Sequence, residues 1–187
     1  IVTSATPNEG KSTTISNLAA VMAQAGHKVL LMDCDMRNPT QHKIFKMTNK
    51  GLSNCISANE AVQTLIQKTG IENLELLASG PVAPNPSELL GSHRMEQILE
   101  QLKPDYDYIL IDTPPIMPVT DAAVLSGKVD GLVMIISSGD VTPAVAKEAK
   151  QRLLQAGTHI LGVILNKVEM AHTHGYGYYY YLSLIHS

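Results

Sequence analysis

The 187-residue sequence predicts an α/β domain with a mainly parallel central sheet flanked by helices on both faces. Three observations carry this. Apolar, strand-like runs alternate along the chain with segments of helical period. Two of the runs, Val29-Leu-Leu-Met32 and Tyr108-Ile-Leu-Ile111, are continuously apolar, as befits strands buried on both sides, and each runs straight into an aspartate. Between the first strand and the first helix stands Ala5-Thr-Pro-Asn-Glu9-Gly10-Lys11-Ser12-Thr13, a turn of small and polar residues.

Ile1 and Val2 open the first strand, and a helix over residues 12–25 follows, with Ile15, Leu18, Ala19 and Met22 on one stripe and Gly26 as its stop. The second strand ends in Asp33-Cys34-Asp35, whose spacing of two puts both carboxylates on one side if the strand geometry persists. Residues 36–60 are polar and irregular, with Arg37 close behind the acids. A short helix is predicted over 58–68, then a strand over 74–78. The proline-rich loop 79–87 precedes a helix capped by Ser87 that carries Leu89, Leu90, Met95, Ile98, Leu99 and Leu102 and stops at Pro104. The strand ending in Asp112 comes next. A helix near 120–126, with Asp121 as its cap, a strand over 131–137, a helix begun by Thr142 and Pro143, and a strand over 159–166 complete the core.

The loop has the chemistry of anion binding. Free N–H groups at a helix start converge on one point, and the helix dipole adds positive charge there. Gly10 admits a close backbone approach, Lys11 can reach β- and γ-phosphates, and the Ser12 hydroxyl can ligate Mg²⁺. Ala5 stands where the common G-x-x-x-x-G-K-[ST] pattern has its first glycine, so the match is to a looser form. In open α/β sheets, ligands bind outside the carboxyl ends of strands, which brings Asp33, Asp35 and Asp112 to the same mouth as the loop.

Composition excludes several classes. A net charge of -3 gives no electrostatic case for nucleic-acid binding. Cys34 and Cys55 form no Cys-x-x-Cys pair, which argues against a disulfide framework or a zinc site and fits a reducing compartment. No apolar run approaches the roughly 18 residues that would span a bilayer. The chain begins at Ile1, without Met and inside a strand, which predicts a preceding segment. Five of its seven tyrosines fall at Tyr176, Tyr178, Tyr179, Tyr180 and Tyr181, among glycines and behind His172 and His174. This divides the chain into a domain over residues 1–170 and a flexible tyrosine-rich tail over 171–187.

Taken in order, residues 5–13, the run Leu31-Met-Asp33-Cys-Asp35-Met-Arg37-Asn-Pro39, the stretch 79–90, Ile111-Asp112-Thr-Pro-Pro115 with Thr120-Asp121, and the tyrosine cluster resemble the cytoplasmic catalytic domain of the bacterial tyrosine kinases. That family controls capsular and extracellular polysaccharide synthesis and export. The resemblance implies a P-loop NTPase fold and transfer of the ATP γ-phosphoryl group to tyrosine, with ATP and Mg²⁺ bound in the loop. It implies nucleotide contacts from Glu9, Gly10, Lys11, Ser12, Thr13 and, at adenine, Asn166. Lys11, Asp33, Asp35 and Asp112 become the catalytic set, Asp33 as base for the tyrosine hydroxyl, with Ser12, Asp35 and Asp112 on the metal. The five tail tyrosines become phosphoacceptors. Implied partners are a transmembrane activator or polysaccharide co-polymerase on the same or a separate chain, protein tyrosine substrates, a cognate phosphatase and further copies in a ring. The implied location is the cytoplasmic face of the plasma membrane. The family's E-x-x-R-x-x-R assembly motif lies upstream of the loop and is not in this chain.

The alternative reading is a P-loop switch ATPase of the kind that positions division sites or partitions plasmids. Those carry an additional lysine early in the loop, where Thr6 stands here, and have no use for terminal tyrosines. A module stacking single-stranded nucleic acid on Gly/Tyr segments needs a basic groove. Lys167 and the two histidines do not make one.

Overall fold

The computed structural model describes residues 1–58 and 60–168. The tail tyrosines, His172 and His174 lie outside the described residues.

Seven strands form one sheet: β1 (Val2–Ser4), β2 (Val29–Asp33), β3 (Gln67–Lys68), β4 (Leu74–Leu77), β5 (Tyr108–Asp112), β6 (Leu132–Ser137) and β7 (Ile160–Asn166). Their spatial order is β3-β4-β2-β5-β1-β6-β7, and every pairing is parallel except the short β3–β4 ladder. The helices are α1 (Lys11–Gln24), α2 (Gln41–Ile44), α3 (Leu52–Ser57), α4 (Pro86–Gly91), α5 (His93–Leu102), α6 (Asp121–Ser126) and α7 (Pro143–Gln155).

β2 shows why its run is apolar throughout. Leu30 and Met32 pack on one face with Leu90 of α4 and Met95, Ile98, Leu99 and Leu102 of α5. Val29 and Leu31 pack on the other with Ile15, Ala19, Ala20 and Ala23 of α1. Alternate residues thus serve separate layers, and both faces of the sheet carry helices. A third cluster joins Leu132, Met134 and Ile136 of β6 to Ala149 and Leu153 of α7. At the edge, β7 leaves Leu161, Val163 and Leu165 exposed.

Three expected elements differ. The irregular stretch 36–60 contains α2 and α3, whereas 58–68 holds only a 3₁₀ turn, Val62–Thr64, before β3. Val62 and Leu65 are buried at a helical spacing, yet the chain must turn at once to run antiparallel beside β4. The single helix expected from Ser87 is two. Gly91 ends α4, and Ser92, extended at ψ 156°, caps α5 by accepting the Met95 N–H at 3.2 Å. Asn85, not Ser87, is the N-cap of α4, and Thr120, not Asp121, is that of α6.

Candidate active site

The C-terminal ends of β1, β2 and β5 meet at the start of α1. Gly10 precedes that helix at φ 89°, ψ 14°, a left-handed conformation that favours glycine. A Cβ there would also lie 2.2 Å from Asn166 Nδ2, so any side chain would displace the Asn166 amide. No side chain caps α1, and its first backbone hydrogen bond runs from Thr14 N–H to the Gly10 carbonyl at 2.9 Å. The Lys11, Ser12 and Thr13 N–H groups have no partner among the described residues, which leaves an anion cradle.

The cradle is held from behind by Glu9. Its Oε2 accepts the Ser137 N–H of β6 at 2.8 Å, and its Oε1 accepts both the Thr6 N–H and the Thr6 hydroxyl. Glu9 is buried, so its side chain is a staple and not a ligand group. Asn166, at the end of β7, donates Nδ2–H to the Glu9 carbonyl at 2.8 Å, which fixes the same turn.

Lys11 reaches across the mouth. Its Nζ lies 3.0 Å from Ser12 Oγ, 3.1 Å from Asp35 Oδ2 and 3.5 Å from Asp112 Oδ1. Burial pulls the ammonium pKa down, but the Asp112 and Asp35 carboxylates more than offset this and leave it above its ordinary value. Asp112 is sealed and is the register partner of Asp33 across the β2–β5 ladder, which crowds two carboxyls in the interior. Burial, together with neighbouring acid charge, raises both: Asp33 is pushed up to about 7, with Asp112 its largest charged neighbour, and Asp112 rises despite Lys11.

Asp33 and Asp35 separate in role. Asp33 Oδ2 accepts the Thr40 and Gln41 N–H groups, both at 3.0 Å, and Oδ1 accepts the Asp35 N–H at 3.1 Å. It shapes the turn from below. Asp35 instead reaches the cleft, which has a volume of about 640 Å³ and is also lined by Asn8, Gly10, Lys11, Ser12 and Thr13.

Two polar networks escaped the sequence reading. Gln41 donates Nε2–H to Asp112 Oδ2 at 2.7 Å and to the Ser12 carbonyl at 3.2 Å, and its Oε1 accepts the Ser16 hydroxyl at 2.6 Å. The expectation of a cap for Asp121 is corrected: its buried carboxylate accepts Arg37 Nε–H at 3.0 Å and Nη2–H at 3.1 Å, and the Ser87 hydroxyl as well. The only forewarning was the place of Arg37 beside the acids.

Comparison with known proteins agrees with this geometry. The family model of the AAA domain matches residues 8–155. The chain is 42% identical over 178 residues to the tyrosine-protein kinase YwqD of Bacillus subtilis, covering 95% of this chain and 75% of that one. The kinase domain of the Escherichia coli tyrosine kinase ETK superposes with a TM-score of 0.87 at 40% identity, over 96% of this chain and 71% of that one. The chimerical protein CapA2B2 gives a TM-score of 0.86 at 41% identity, over 89% and 74%. The septum site-determining protein MinD of Pyrococcus horikoshii, at 23% identity and a TM-score of 0.74, shares the fold. The matched region is a nucleotide-binding P-loop domain. On this kinship the chain belongs to the bacterial tyrosine-protein kinases, as a catalytic domain of the CpsD/CapB type, the kinases of capsule and polysaccharide biosynthesis.

Proposed function

We propose that this kinase domain uses ATP with Mg²⁺ and phosphorylates its own Tyr176, Tyr178, Tyr179, Tyr180 and Tyr181. The observation that supports it most is an uncapped helix start whose lysine lines the cleft between the Asp35 carboxylate, which also lines it, and the buried Asp112 carboxylate behind. The phosphate chain is taken up by the N–H groups of Gly10 to Thr13 and by Lys11, which exchanges its carboxylate partners for phosphate oxygens. In the transfer, a bond forms between the phenolic oxygen and the γ-phosphorus while the bond to the β–γ bridging oxygen breaks. ADP departs, and the phenolic proton passes to a carboxylate. Asp33 is assigned that proton, because a carboxyl titrating near neutral pH both accepts and returns one. Its seat beneath the cleft requires that the turn held by Thr40 and Gln41 yield.

The donor set suits Mg²⁺: the Ser12 hydroxyl and the Asp35 and Asp112 carboxylates are all hard oxygens. When bound, Mg²⁺ supplies neutralisation of the phosphate charge. Asn166 stands beside the loop, where an adenine contact is assigned to it.

A membrane activator, polysaccharide co-polymerase or equivalent, is assigned as partner, along with other protein tyrosine substrates, a cognate phosphatase and ring neighbours. The domain then works at the inner face of the plasma membrane. The chimera with a CapA part supports this, and among the described residues no helix is long and apolar enough to cross the membrane.

Incubation with Mg-ATP followed by an anti-phosphotyrosine blot tests the assignment. Wild type is expected to label, and EDTA or replacement of all five tail tyrosines by Phe to remove most label while nucleotide binding persists. ATP hydrolysis without phosphotyrosine, or full labelling of the five-Phe variant, overturns it.

A further inference from the structure

The cleft has a second region that the triphosphate reading leaves unused. Arg37, Lys43, Ile44, Pro118 and Val119 line it beside the loop. Arg37 is held in place, since Nε and Nη2 both bond the buried Asp121 carboxylate, and its side chain remains 40% exposed. Lys43, in the last turn of α2, is exposed and has no ion pair among the described residues. Ile44, Pro118 and Val119 add an apolar surface of the kind an aromatic ring packs on. Lys43 brings a charge unpaired among the described residues, and Arg37, its charge shared with Asp121, an exposed guanidinium edge; beside an apolar strip and next to the phosphoryl donor site they suit a tyrosine with an anion as its neighbour.

We infer that this wall selects acceptor segments in which an anionic residue adjoins the acceptor tyrosine, the anion resting on Lys43 and Arg37 and the phenol ring on the apolar strip. The inference rests on the kinase reading above. Its anion can be a carboxylate or a phosphate. Residues 171–187 contain neither Asp nor Glu, so within this chain's own tail only a phosphotyrosine can supply it. A phosphate brings about -1.5 to -2 charge at neutral pH. Tyr178, Tyr179, Tyr180 and Tyr181 are consecutive, so each modified residue creates the preferred neighbour for the next. The first phosphate therefore enters slowly and the later ones quickly, whereas a substrate protein with Asp or Glu beside its tyrosine starts at the faster rate.

The test uses peptides covering 174–182 with one acceptor tyrosine and the others replaced by Phe, in three forms: an unmodified neighbour, a Glu neighbour and a phosphotyrosine neighbour. The readout is the ratio of kcat/KM for each anionic peptide over the neutral one at saturating Mg-ATP. In wild type a ratio of about five- to tenfold is expected for the phosphotyrosine form, from a charge-assisted contact at a half-open surface. Lys43→Ala should bring it near one, Lys43→Glu should invert it, and Lys43→Arg should restore it, with binding of a fluorescent ATP analogue reporting that each variant is folded. A raised ratio for the Glu form as well assigns the wall to acids in general; a raised ratio for the phosphotyrosine form alone assigns it to phosphate. Equal kcat/KM for all three peptides in wild type, or a preference that survives Lys43→Glu, overturns the inference while the kinase reading stands. If no peptide is phosphorylated while the protein labels its own tail, the inference falls and the kinase reading stands; if neither labels, both fall.

Discussion

The two ends of the sheet each carry a cleft of similar size, and they differ in everything that matters to chemistry. At the N-terminal ends of β2, β4 and β5, a cleft of about 690 Å³ is lined by Lys28, Lys68, Glu72, Glu75, Asp105 and Tyr106, among others. At the C-terminal ends, the slightly smaller cleft of about 640 Å³ holds the phosphate loop. In the larger one, the Tyr106 hydroxyl donates to Glu75, and burial, helped by that bond, raises the phenol pKa. There a phenol and a carboxylate satisfy each other. In the smaller one, N–H groups without partners among the described residues converge, and a lysine is shared between two acids. Volume says little about function; directed donors and concentrated charge say much.

Changing the centre of the active cleft should break this contrast most severely. Lys11→Ala is expected to lower phosphotyrosine formation by at least ~100-fold, the scale of losing one preorganised charge contact, as measured by transfer of labelled phosphate from ATP. A loss of only a few-fold would remove Lys11 from the reaction. The next largest effect falls on stability. Asp33→Asn puts an N–H₂ group against backbone N–H donors and should cost about 1–3 kcal/mol in urea unfolding, besides lost transfer; unchanged stability would show that the three bonds to Asp33 are not what holds the turn.

A smaller effect concerns pH. Asp33 and Asp112 have pKa values raised above their unfolded values, so the stability this gives is fully present below about 4 and is lost as pH rises through about 7 for Asp33. Without divalent cation, the Tm of wild type relative to Asp112→Asn should therefore fall between these pH values, and parallel Tm profiles would remove the carboxyl crowding as a cause. The smallest change belongs at the other end of the sheet. Tyr106→Phe should leave phosphorylation intact and cost no more than about 1 kcal/mol. A large loss of activity there would abolish the distinction between the clefts.

The sequence displayed the elements whose chemistry is local. The loop, the helix behind it and the two acid-tipped strands were legible because continuous apolar runs and Gly10-Lys11-Ser12 need no distant partner to be read. The role of Gln41 was hidden, since it depends on Asp112, 71 residues away, and on Ser16. The inward turn of Glu9 likewise depends on Ser137, 128 residues further on. Asp121 looked like a cap because it stands at a helix start, and only the approach of Arg37 across 84 residues gives its carboxylate another use. The break at Gly91-Ser92 was visible in principle, but the apolar spacing on both sides masked it.

The staple formed by Glu9 has a thermodynamic consequence. Ordering a backbone residue costs on the order of 1–2 kcal/mol in entropy, and many anion-binding turns incur that cost only when the anion arrives. Here Thr6 and Ser137 already hold the bend through one carboxylate. The bend's freedom is surrendered as the chain folds, so the affinity for an incoming phosphate chain is not spent on ordering it.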